Sequence, residues 1–510
     1  MALFAAGLMA CFTLLSLLSL RRTLQTAAPP PVVQGFAFLT RMCGRRRIPL
    51  LRLRHPRATL HSSEKRTVPI MQCELPSPRR MRLTSSVHLK KIVDLALAGE
   101  LALALVLALA GFAKPVQAQS FSVLYTFTGT PDGSVPAQAN LLDVNGTLYG
   151  TTYSGGTYGY GTVFKFNRKG QETVLYSFTG GTDGATPSAG VVRDAQGNLY
   201  GTTYSGGDLS CTSIYGTAGC GVVFKLDTTG TETALYSFTG GTDGGEPEGL
   251  VIDNAGNLYG ITFFGGSQTC PFGSLGCGVV YKVDTSGNET VLYTFTGGTD
   301  GGEPNGFVTM DSVGNIYGAT IIGGDLSACS PFGGCGVIFK LDTSGNETIL
   351  YTFQGGADGA IPNASFLMDA KGNLYSTTNF GGDLSCNNIP FYAGCGVVFE
   401  VTPAGAERVL HTFKGKDGAN PTLGLVQDAK GNFYSTTEYG GAFNLGTVFE
   451  LTANGTESIL HSFSGLADGK LADSGLVMDA KGNLFSNTSQ GGDLSCSPPY
   501  GCGTLFRVVP

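Results

Sequence analysis

The feature that most constrains this chain is a tetrapeptide, Leu-Tyr/His-Ser/Thr-Phe, that returns seven times. Its copies begin at Leu124, Leu175, Leu235, Leu292, Leu350, Leu410 and Leu460, at intervals of 50 to 60 residues. Between copies, three further short blocks return in the same order; in the second full unit they cover 190–194, 198–204 and 221–227. A period of this length indicates a repeat architecture in which each unit buries its apolar surface against its neighbours.

Each block has the composition of a β-strand. The blocks are 5 to 8 residues long, rich in Val, Leu, Tyr, Phe and Thr, and bounded by Gly, Asp or Asn. Val222 and Phe224 alternate with Val223 and Lys225, which is the period of two that a sheet strand shows. Asp-x-x-Gly turns between blocks predict hairpins, and no stretch of the repeats has a helical period. Four antiparallel strands in each of seven units predict an all-β, seven-bladed β-propeller.

The two ends of the repeat region predict how the ring closes. Residues 121–127 form an outer-type strand without the three strands that should precede it, and 503–509 form a third strand without a fourth. Because these two pieces add up to one blade, we expect the N-terminal strand to complete the last sheet. The predicted blades are 137–178, 189–238, 249–295, 306–353, 364–413, 424–463, and 474–508 plus 121–127.

Charge divides the chain at about residue 118. Residues 1–118 carry 17 Lys and Arg against 4 Asp and Glu, whereas 119–510 carry 15 against 34. An acidic body repels phosphates and anionic lipid headgroups, so neither nucleic acid nor a membrane is a predicted partner. We expect the propeller not to be membrane-embedded, and to be a monomer.

The basic N-terminal part has the features of targeting sequence. Residues 81–118 combine a basic start, an apolar stretch at 101–113 and small residues at Val116 and Ala118, which predicts a Sec-type signal peptide cleaved after Ala118. The expected location is therefore secreted, periplasmic or at the cell surface. Residues 1–80 are either a membrane anchor with a disordered basic arm or, the interpretation favoured here, the product of a start site placed too far upstream.

Ten of the 13 cysteines form pairs within the repeats: Cys211/Cys220, Cys270/Cys277, Cys329/Cys335, Cys386/Cys395 and Cys496/Cys502. Each pair brackets the loop between the second and third strands of a blade, and the two blades without cysteine have shorter loops. This association predicts five disulfides in an oxidising compartment. No zinc site is predicted, because there is no Cys-x-x-Cys and the only histidines of the body, His411 and His461, replace a Tyr in outer strands.

Strand order places these loops and the loops between blades on one side of the ring, which we call the disulfide face. Seven Asp-Gly elements belong to that face, at Asp132, Asp183, Asp243, Asp300, Asp358, Asp417 and Asp468. The favoured interpretation is turn formation, with Asp as the capping residue and Gly supplying a positive φ. The alternative is a set of oxygen ligands for calcium or a cationic ligand.

Departures from the repeat give the candidate binding residues. Two positions before the Gly-Gly that ends each second strand, the residue type changes from blade to blade. Six of these residues are predicted to form an asymmetric rim that binds a polymer or peptide: Tyr153, Tyr204, Phe263, Asn379, Glu438 and Ser489. The alternative is ordinary packing between blades.

The recurring elements Leu-Tyr-Ser-Phe, Gly-Asn-Leu-Tyr-Gly-Thr-Thr and Gly-Val-Val-Phe-Lys-Leu resemble the Gloeobacter/Verrucomicrobia ("GloVer") tandem repeat family of exported bacterial proteins. The resemblance covers 121–509. It implies an exported repeat protein, and it implies no particular activity, because the family has none assigned.

No catalytic residues are predicted, since the chain has no Gly-x-Ser-x-Gly, His-Glu-x-x-His or phosphate-binding loop. The leading hypothesis is a non-enzymatic exported scaffold, without a cofactor, that binds a protein, peptide or glycan through its disulfide face. One alternative is a propeller hydrolase or lyase that acts on glycans or lactones with carboxylates near the axis, with or without calcium; another is a structural envelope protein. Carboxylates clustered around a deep axial pocket would favour the enzyme, and a shallow Gly-lined face the structural role.

Overall fold

A computed structural model describes residues 119–510, apart from 168, 214–215, 268–269, 272–274, 330–332 and 387–392. The expected N-terminal extension, 1–80, and signal peptide, 81–118, lie outside the described residues. Every regular element in the described part is a β-strand, and the strands form seven antiparallel sheets. These sheets are arranged in a ring, so the predicted seven-bladed β-propeller is confirmed. The described residues include no helix long and apolar enough to cross a membrane.

Three strands of each blade follow the predicted order. The second strands are Thr147–Ser154, Leu199–Thr203, Leu258–Phe264, Ile316–Ile322, Leu374–Phe380, Phe433–Thr437 and Leu484–Thr488. The third strands are Thr162–Asn167, Val222–Leu226, Val279–Val283, Val337–Leu341, Val397–Val401, Thr447–Leu451 and Thr504–Val509. The outer strands are Glu172–Ser177, Glu232–Ser237, Glu289–Thr294, Glu347–Thr352, Glu407–Thr412, Glu457–Ser462 and, in the closing blade, Ser120–Thr126.

The inner strand differs from the single strand that the sequence predicts, because it is divided into two short pieces. In blade 3, Gly245–Pro247 pairs with the end of the second strand and Val251–Ile252 pairs with its beginning. The later piece is a strand in every blade: Leu142–Val144, Val192–Arg193, Val251–Ile252, Thr309–Met310, Leu367–Met368, Val426–Gln427 and Val477–Met478. The earlier piece is a strand in four blades, as Ser134–Pro136, Gly245–Pro247, Gly302–Pro304 and Ala360–Pro362. In the other three it is a single bridge, at Ala185, Ala419 and Lys470.

The leucine that begins each tetrapeptide is a β-bulge. In blade 3, Val280 lies opposite Tyr293 and Tyr281 lies opposite Val291, so Leu292 is left over between them. The same irregularity occurs in all seven outer strands. A bulge bends its strand and increases the local twist, which explains why the tetrapeptide is the most regular part of the repeat.

The ring closes as the sequence predicts. Ser120–Thr126 pairs antiparallel with Thr504–Val509, with Val123 opposite Phe506 and Tyr125 opposite Leu505. The last sheet therefore contains strands from both ends of the described chain.

Blade interfaces are filled by aromatic pairs. The Phe that ends each tetrapeptide is fully buried and meets an aromatic ring on the third strand of the next blade, with centroids 5.0 to 5.5 Å apart. The pairs are tilted or edge-to-face, the arrangements that aromatic rings prefer. They are Phe127–Phe164, Phe178–Phe224, Phe238–Tyr281, Phe295–Phe339, Phe353–Phe399, Phe413–Phe449 and Phe463–Phe506.

All five predicted disulfides are present, with Cα–Cα distances of 5.2 to 5.8 Å. Each disulfide packs against a glycine of the loop that leads into the next blade, and in the two blades without cysteines the corresponding glycines face Tyr160 and Leu445 instead. A large side chain therefore takes the place of the disulfide where the loop is short. The five bridges are Cys211–Cys220, Cys270–Cys277, Cys329–Cys335, Cys386–Cys395 and Cys496–Cys502.

The two cysteines of a bridge differ in burial. The first cysteine is partly exposed in the loop, whereas the second lies two residues before the third strand and is at most 1% exposed. The reason is packing, because each second cysteine belongs to a cluster of apolar side chains in the core. Each bridge therefore ties a loop of the disulfide face to the core through one of these residues: Cys220, Cys277, Cys335, Cys395 and Cys502.

Candidate functional site: an axial pocket

A cavity of about 440 Å³ lies on the axis of the ring, between the loops of the disulfide face. All seven blades contribute to its wall, each with the residue that follows the earlier piece of the inner strand. These residues are Ala137, Ser188, Glu248, Asn305, Asn363, Thr422 and Asp473. We call this cavity the axial pocket.

The loop that leads into each blade is fixed by its Asp-Gly turn. The Asp132 carboxylate accepts hydrogen bonds from the Thr128 backbone N–H, the Thr128 hydroxyl and the Tyr125 hydroxyl, at 2.7 to 3.0 Å. Tyrosines bond the matching Asp in four further blades, and His411 and His461 replace Tyr opposite Asp417 and Asp468. These contacts give the Asp-Gly elements the structural role of the favoured interpretation.

After each turn, one non-glycine residue adopts a left-handed backbone conformation. Its φ lies between 51° and 56° in every blade, at Val135, Thr186, Glu246, Glu303, Ile361, Asn420 and Leu471. Each of the seven N–H groups donates to a carbonyl of the preceding blade, and in five cases that carbonyl belongs to the buried second cysteine of a disulfide. This ring of hydrogen bonds joins the blades around the pocket and directs the following residues toward the axis.

A second cavity lies at the opposite end of the axis, with apolar residues such as Leu141, Val191, Leu250 and Phe366 in its wall. It shares no lining residue with the axial pocket. Close approaches separate the two, since a Cβ on Gly249 would lie 2.0 Å from the Phe307 ring. The axial pocket therefore opens on the disulfide face.

Five of the six predicted rim residues line this pocket. Tyr153, Tyr204, Phe263, Asn379 and Glu438 are lining residues. Ser489 is buried behind the wall, where its hydroxyl lies close to the Asp473 carboxylate. The binding role of these six residues remains a proposal.

Sequence reasoning missed the pocket residues contributed by the inner strand, above all Glu246, Glu248, Asp473 and Gln138. The signal that could have found them is Asp-Gly-x-x-Pro, which recurs in six blades, with Ala472 in place of Pro in the seventh. The positions on either side of the Pro vary between blades as much as the rim residues do.

One pair of carboxyl groups lies on the blade 3 side of the pocket. Glu246 and Glu248 are 1% and 5% exposed, and the Tyr204 hydroxyl donates to Glu248 Oε1. Burial raises the pKa of Glu248 to about 8, and the Glu246 charge adds to the shift while the Tyr204 hydrogen bond opposes it. Burial, together with Glu246, also raises the pKa of Tyr153.

A second pair lies on the side of blades 6 and 7. Burial raises the pKa of Glu438 to about 7, with a further contribution from the Asp473 charge, and raises the pKa of Asp473 to about 6. Gln138 Nε2 donates to Asp473 Oδ2 at 2.8 Å, which joins the first blade to the last. Asp473 is 3% exposed, and because the nearby Ser489 hydroxyl donates to the Leu471 carbonyl, the other carboxylate oxygen of Asp473, Oδ1, accepts no hydrogen bond from the described residues.

Further polar atoms in the pocket wall have no partner in the described structure: Ser188 Oγ, Asn379 Oδ1 and Thr422 Oγ1. No lining residue among those described is Lys, Arg or His. Buried polar atoms are normally paired, so this arrangement fits a wall that completes its hydrogen bonds with water or a bound ligand.

A metal ion requires several ligand atoms close together. Among the described residues, one group of three His, Cys, Asp or Glu has ligand atoms within 4.8 Å of one another: His411, Asp417 and Glu457. It lies between outer strands, where five other interfaces hold a Tyr, an Asp and a Glu in equivalent positions. The structural role of the Asp turn accounts for this group.

Fold and site together define a closed seven-bladed propeller with an acidic axial pocket. The model of the Gloeobacter/Verrucomicrobia repeat matches residues 112–269, 209–389 and 385–510, and the chain belongs to that family. No curated protein matches the chain in sequence.

Solved structures share little sequence with it. The extracellular domain of a hybrid two-component system from B. thetaiotaomicron is 13% identical, with a TM-score of 0.45 over 77% of this chain and 41% of that one. PorZ, a surface component of the type-IX secretion system of Porphyromonas gingivalis, is 14% identical, with a TM-score of 0.42 over 74% and 46%. A gluconolactonase from Xanthomonas campestris is 15% identical, with a TM-score of 0.33 over 62% and 82%. At these values the likenesses carry no argument about function.

Proposed function

We propose that the protein is an exported, non-enzymatic binding protein that takes its ligand in the axial pocket of the disulfide face. The observation that carries this proposal is the wall of the pocket, where buried polar atoms from several blades lack partners. Keeping such atoms unpaired costs roughly 1–3 kcal/mol each, so a wall that presents several of them is suited to binding. Five disulfides are compatible with an extracellular location.

A ligand screen with a matched pair of variants tests this function. The purified full-length chain is heated with glycans, peptides, lactones and small amines, each with and without calcium. A ligand of the pocket raises the melting temperature (Tm) of the wild type by an amount that grows with the logarithm of its concentration divided by its Kd. We expect Asp473→Asn to abolish that rise and Glu347→Gln, a carboxyl change on an outer strand, to preserve it. Ligands that stabilise all three proteins equally, or no stabilising ligand at all, would refute a pocket-binding function.

The carboxyl groups clustered around the axial pocket, together with the pKa values of the Glu438–Asp473 pair, favour a second candidate, a hydrolase or lyase. An enzyme of this kind needs one protonated carboxyl group beside an ionised one, and burial holds the pKa of Glu438 near 7 and that of Asp473 near 6. Turnover of a lactone or glycan with a bell-shaped pH profile, lost in Glu438→Gln, would establish this function. Binding of the same compounds without turnover excludes it for them.

A further inference from the structure

The two carboxyl pairs face each other across the pocket. Glu246 and Glu248 belong to the inner strand of blade 3 and the loop that follows, whereas Glu438 directly follows the second strand of blade 6 and Asp473 lies on the segment that leads into blade 7. In a ring of seven blades, blade 3 is three steps from blade 6 in one direction and three steps from blade 7 in the other. The pocket thus has two acidic poles on opposite sides of the axis.

The walls between the poles differ. On the side of blades 1 to 3 the wall includes three aromatic residues, Tyr153, Tyr204 and Phe263. On the side of blades 4 and 5 it includes three amides, Asn305, Asn363 and Asn379. An aromatic wall attracts both methylene groups and cations.

The charge of the pocket is not balanced from within. Four carboxyl groups line it, and none of its described lining residues is basic. Desolvation opposes the ionisation of these groups while the pocket is empty, so a ligand that brings its own positive charge removes that penalty. A neutral ligand leaves the penalty in place.

The arrangement suits an extended cation better than a bare metal ion. Calcium needs six to eight oxygen ligands around one point. Among the described residues, no three pocket carboxylates bring oxygens within 4.8 Å of one another. Two separated pairs instead match two separated charges.

We propose that the ligand of the axial pocket is a linear diamine, with one ammonium group at the Glu246–Glu248 pole and the other at the Glu438–Asp473 pole. This inference rests on the proposed binding function and names its ligand class. Asp473 Oδ1, which is buried in the wall and unpartnered, is the acceptor for one ammonium group. The aromatic side of the wall contacts the methylene chain between the two charges.

Isothermal titration calorimetry with three matched compounds tests the proposal. The purified full-length chain is titrated with 1,4-diaminobutane, with 1-aminobutane, which has one charge, and with 1,4-butanediol, which has none. We expect the diamine to bind at least tenfold more tightly than the monoamine, and the diol not to bind. Equal affinity for diol and diamine, or binding of calcium chloride with no binding of diamine, would overturn the inference.

Variants at each pole locate the two charges. Glu248→Gln and Asp473→Asn are each expected to weaken diamine binding at least tenfold, while the monoamine, which can use the remaining pole, changes less than threefold. Glu347→Gln is the control, because it removes a half-buried carboxyl group outside the pocket. If Asp473→Asn fails to fold, Glu438→Gln tests the same pole. Unchanged diamine affinity in the pole variants would contradict the assignment.

Proton release gives an independent readout. Because a bound dication favours the ionised carboxylates, diamine binding should release protons at pH 7 and strengthen from pH 6 to pH 8. The heat of binding should then depend on the ionisation enthalpy of the buffer. The titratable groups that face the pocket or lie beside its carboxylates are Glu246, Glu248, Glu438, Asp473, Tyr153, Tyr204 and Tyr439. Heat that is independent of the buffer would argue against ionic recognition.

The failures of the two proposals are distinguishable. A glycan or peptide that binds the wild type and is lost in Asp473→Asn would remove the diamine assignment and leave the pocket as the binding site. Absence of any ligand whose binding depends on the pole residues would remove both.

Discussion

Seven residues around the axial pocket hold a backbone conformation that non-glycine residues rarely adopt. Val135, Thr186 and Ile361 are β-branched, the type for which a positive φ is least favourable. Such residues cost roughly 1–3 kcal/mol each and persist where the surroundings compensate. Here each N–H donates to a carbonyl of the preceding blade, at 2.9 to 3.1 Å. The strain is thus coupled to the contacts that close the ring around the site.

Adjacent blades approach each other closely near the left-handed residues, and this packing leads to a prediction about two glycines. Gly221 has a φ of 92°, and a Cβ there would lie 2.1 Å from the Thr203 carbonyl oxygen and 2.6 Å from Pro247 Cδ, in the next blade. Gly482 has a φ of 81° and no atom within 4 Å of the same position. We expect Gly482→Ala to lower the free energy of unfolding by about 1–2 kcal/mol through backbone strain alone. Gly221→Ala should cost about 1–3 kcal/mol more through overpacking.

Denaturant unfolding of both variants measures the difference. Equal losses would mean that the close packing of Thr203 and Pro247 around Gly221 adds nothing to the cost of the left-handed backbone.

At the scale of the element, most of the outer strands carry a carboxyl group whose pKa is raised by burial. Six outer strands begin with a Glu whose Oε1 is buried without a partner: Glu172, Glu232, Glu289, Glu347, Glu407 and Glu457. Burial, and then the Asp of the adjacent turn, raises the pKa of Glu347 to about 7, and the other five are raised to the same extent. Each therefore favours the folded state while protonated.

This pattern predicts a pH dependence. A group whose pKa rises from 4.5 to about 7 on folding contributes stability below pH 4.5 that is lost as the pH rises through 7. The Tm should fall from pH 5 to pH 8. His461 acts in the opposite sense, because burial lowers its pKa and its protonation below pH 6.5 favours unfolding. The triple variant Glu232→Gln, Glu289→Gln, Glu347→Gln should flatten the fall by roughly a third, since pocket carboxyl groups supply part of it.

Differential scanning calorimetry at several pH values tests the prediction, with Asp311→Asn, in a hairpin on the other face, as the control. A triple variant with the wild-type pH dependence would contradict it.

The sequence predicts some elements better than others for a physical reason. Second, third and outer strands are visible because alternation and turn residues are local properties, as in Val222–Leu226. The division of the inner strand is not local, because it depends on contacts between blades at the axis, such as Gly249 against Phe307. The bulge at each landmark Leu is likewise a property of a strand pair.

The candidate site likewise contains residues that the sequence predicts and residues that it does not. Tyr153 and Glu438 stand out as departures from a regular strand end. The sequence does not predict Glu248 and Asp473 as site residues. Their segments turn toward the axis because a residue two positions earlier has a left-handed backbone conformation, which no sequence pattern indicates. Their raised pKa values come from burial by the whole ring, which no single repeat contains.

At the scale of the whole molecule, the pocket exists because the chain closes on itself. Gln138 and Asp473 are 335 residues apart in sequence and share a hydrogen bond across the junction of the first and last blades. The strand Ser120–Thr126 completes the last sheet and carries Phe127, which packs on Phe164 of blade 1. A chain with the same repeats and an open ring would separate the two acidic poles.

A cysteine cross-link between the closing strands tests this claim most directly. Ser122 lies opposite Arg507 in the closing pair of strands, so these two positions are matched for a cross-link. Directly paired residues of antiparallel strands lie about 4.5–5.5 Å apart at Cα, within the range of a disulfide. In the variant Ser122→Cys, Arg507→Cys, peptide mapping should find a bridge between positions 122 and 507. The control Ser122→Cys, Lys225→Cys, which uses the equivalent third-strand position of blade 2, should keep both added thiols free. Free thiols in the first folded variant, or a bridge in the second, would contradict a ring closed by its own N-terminal strand.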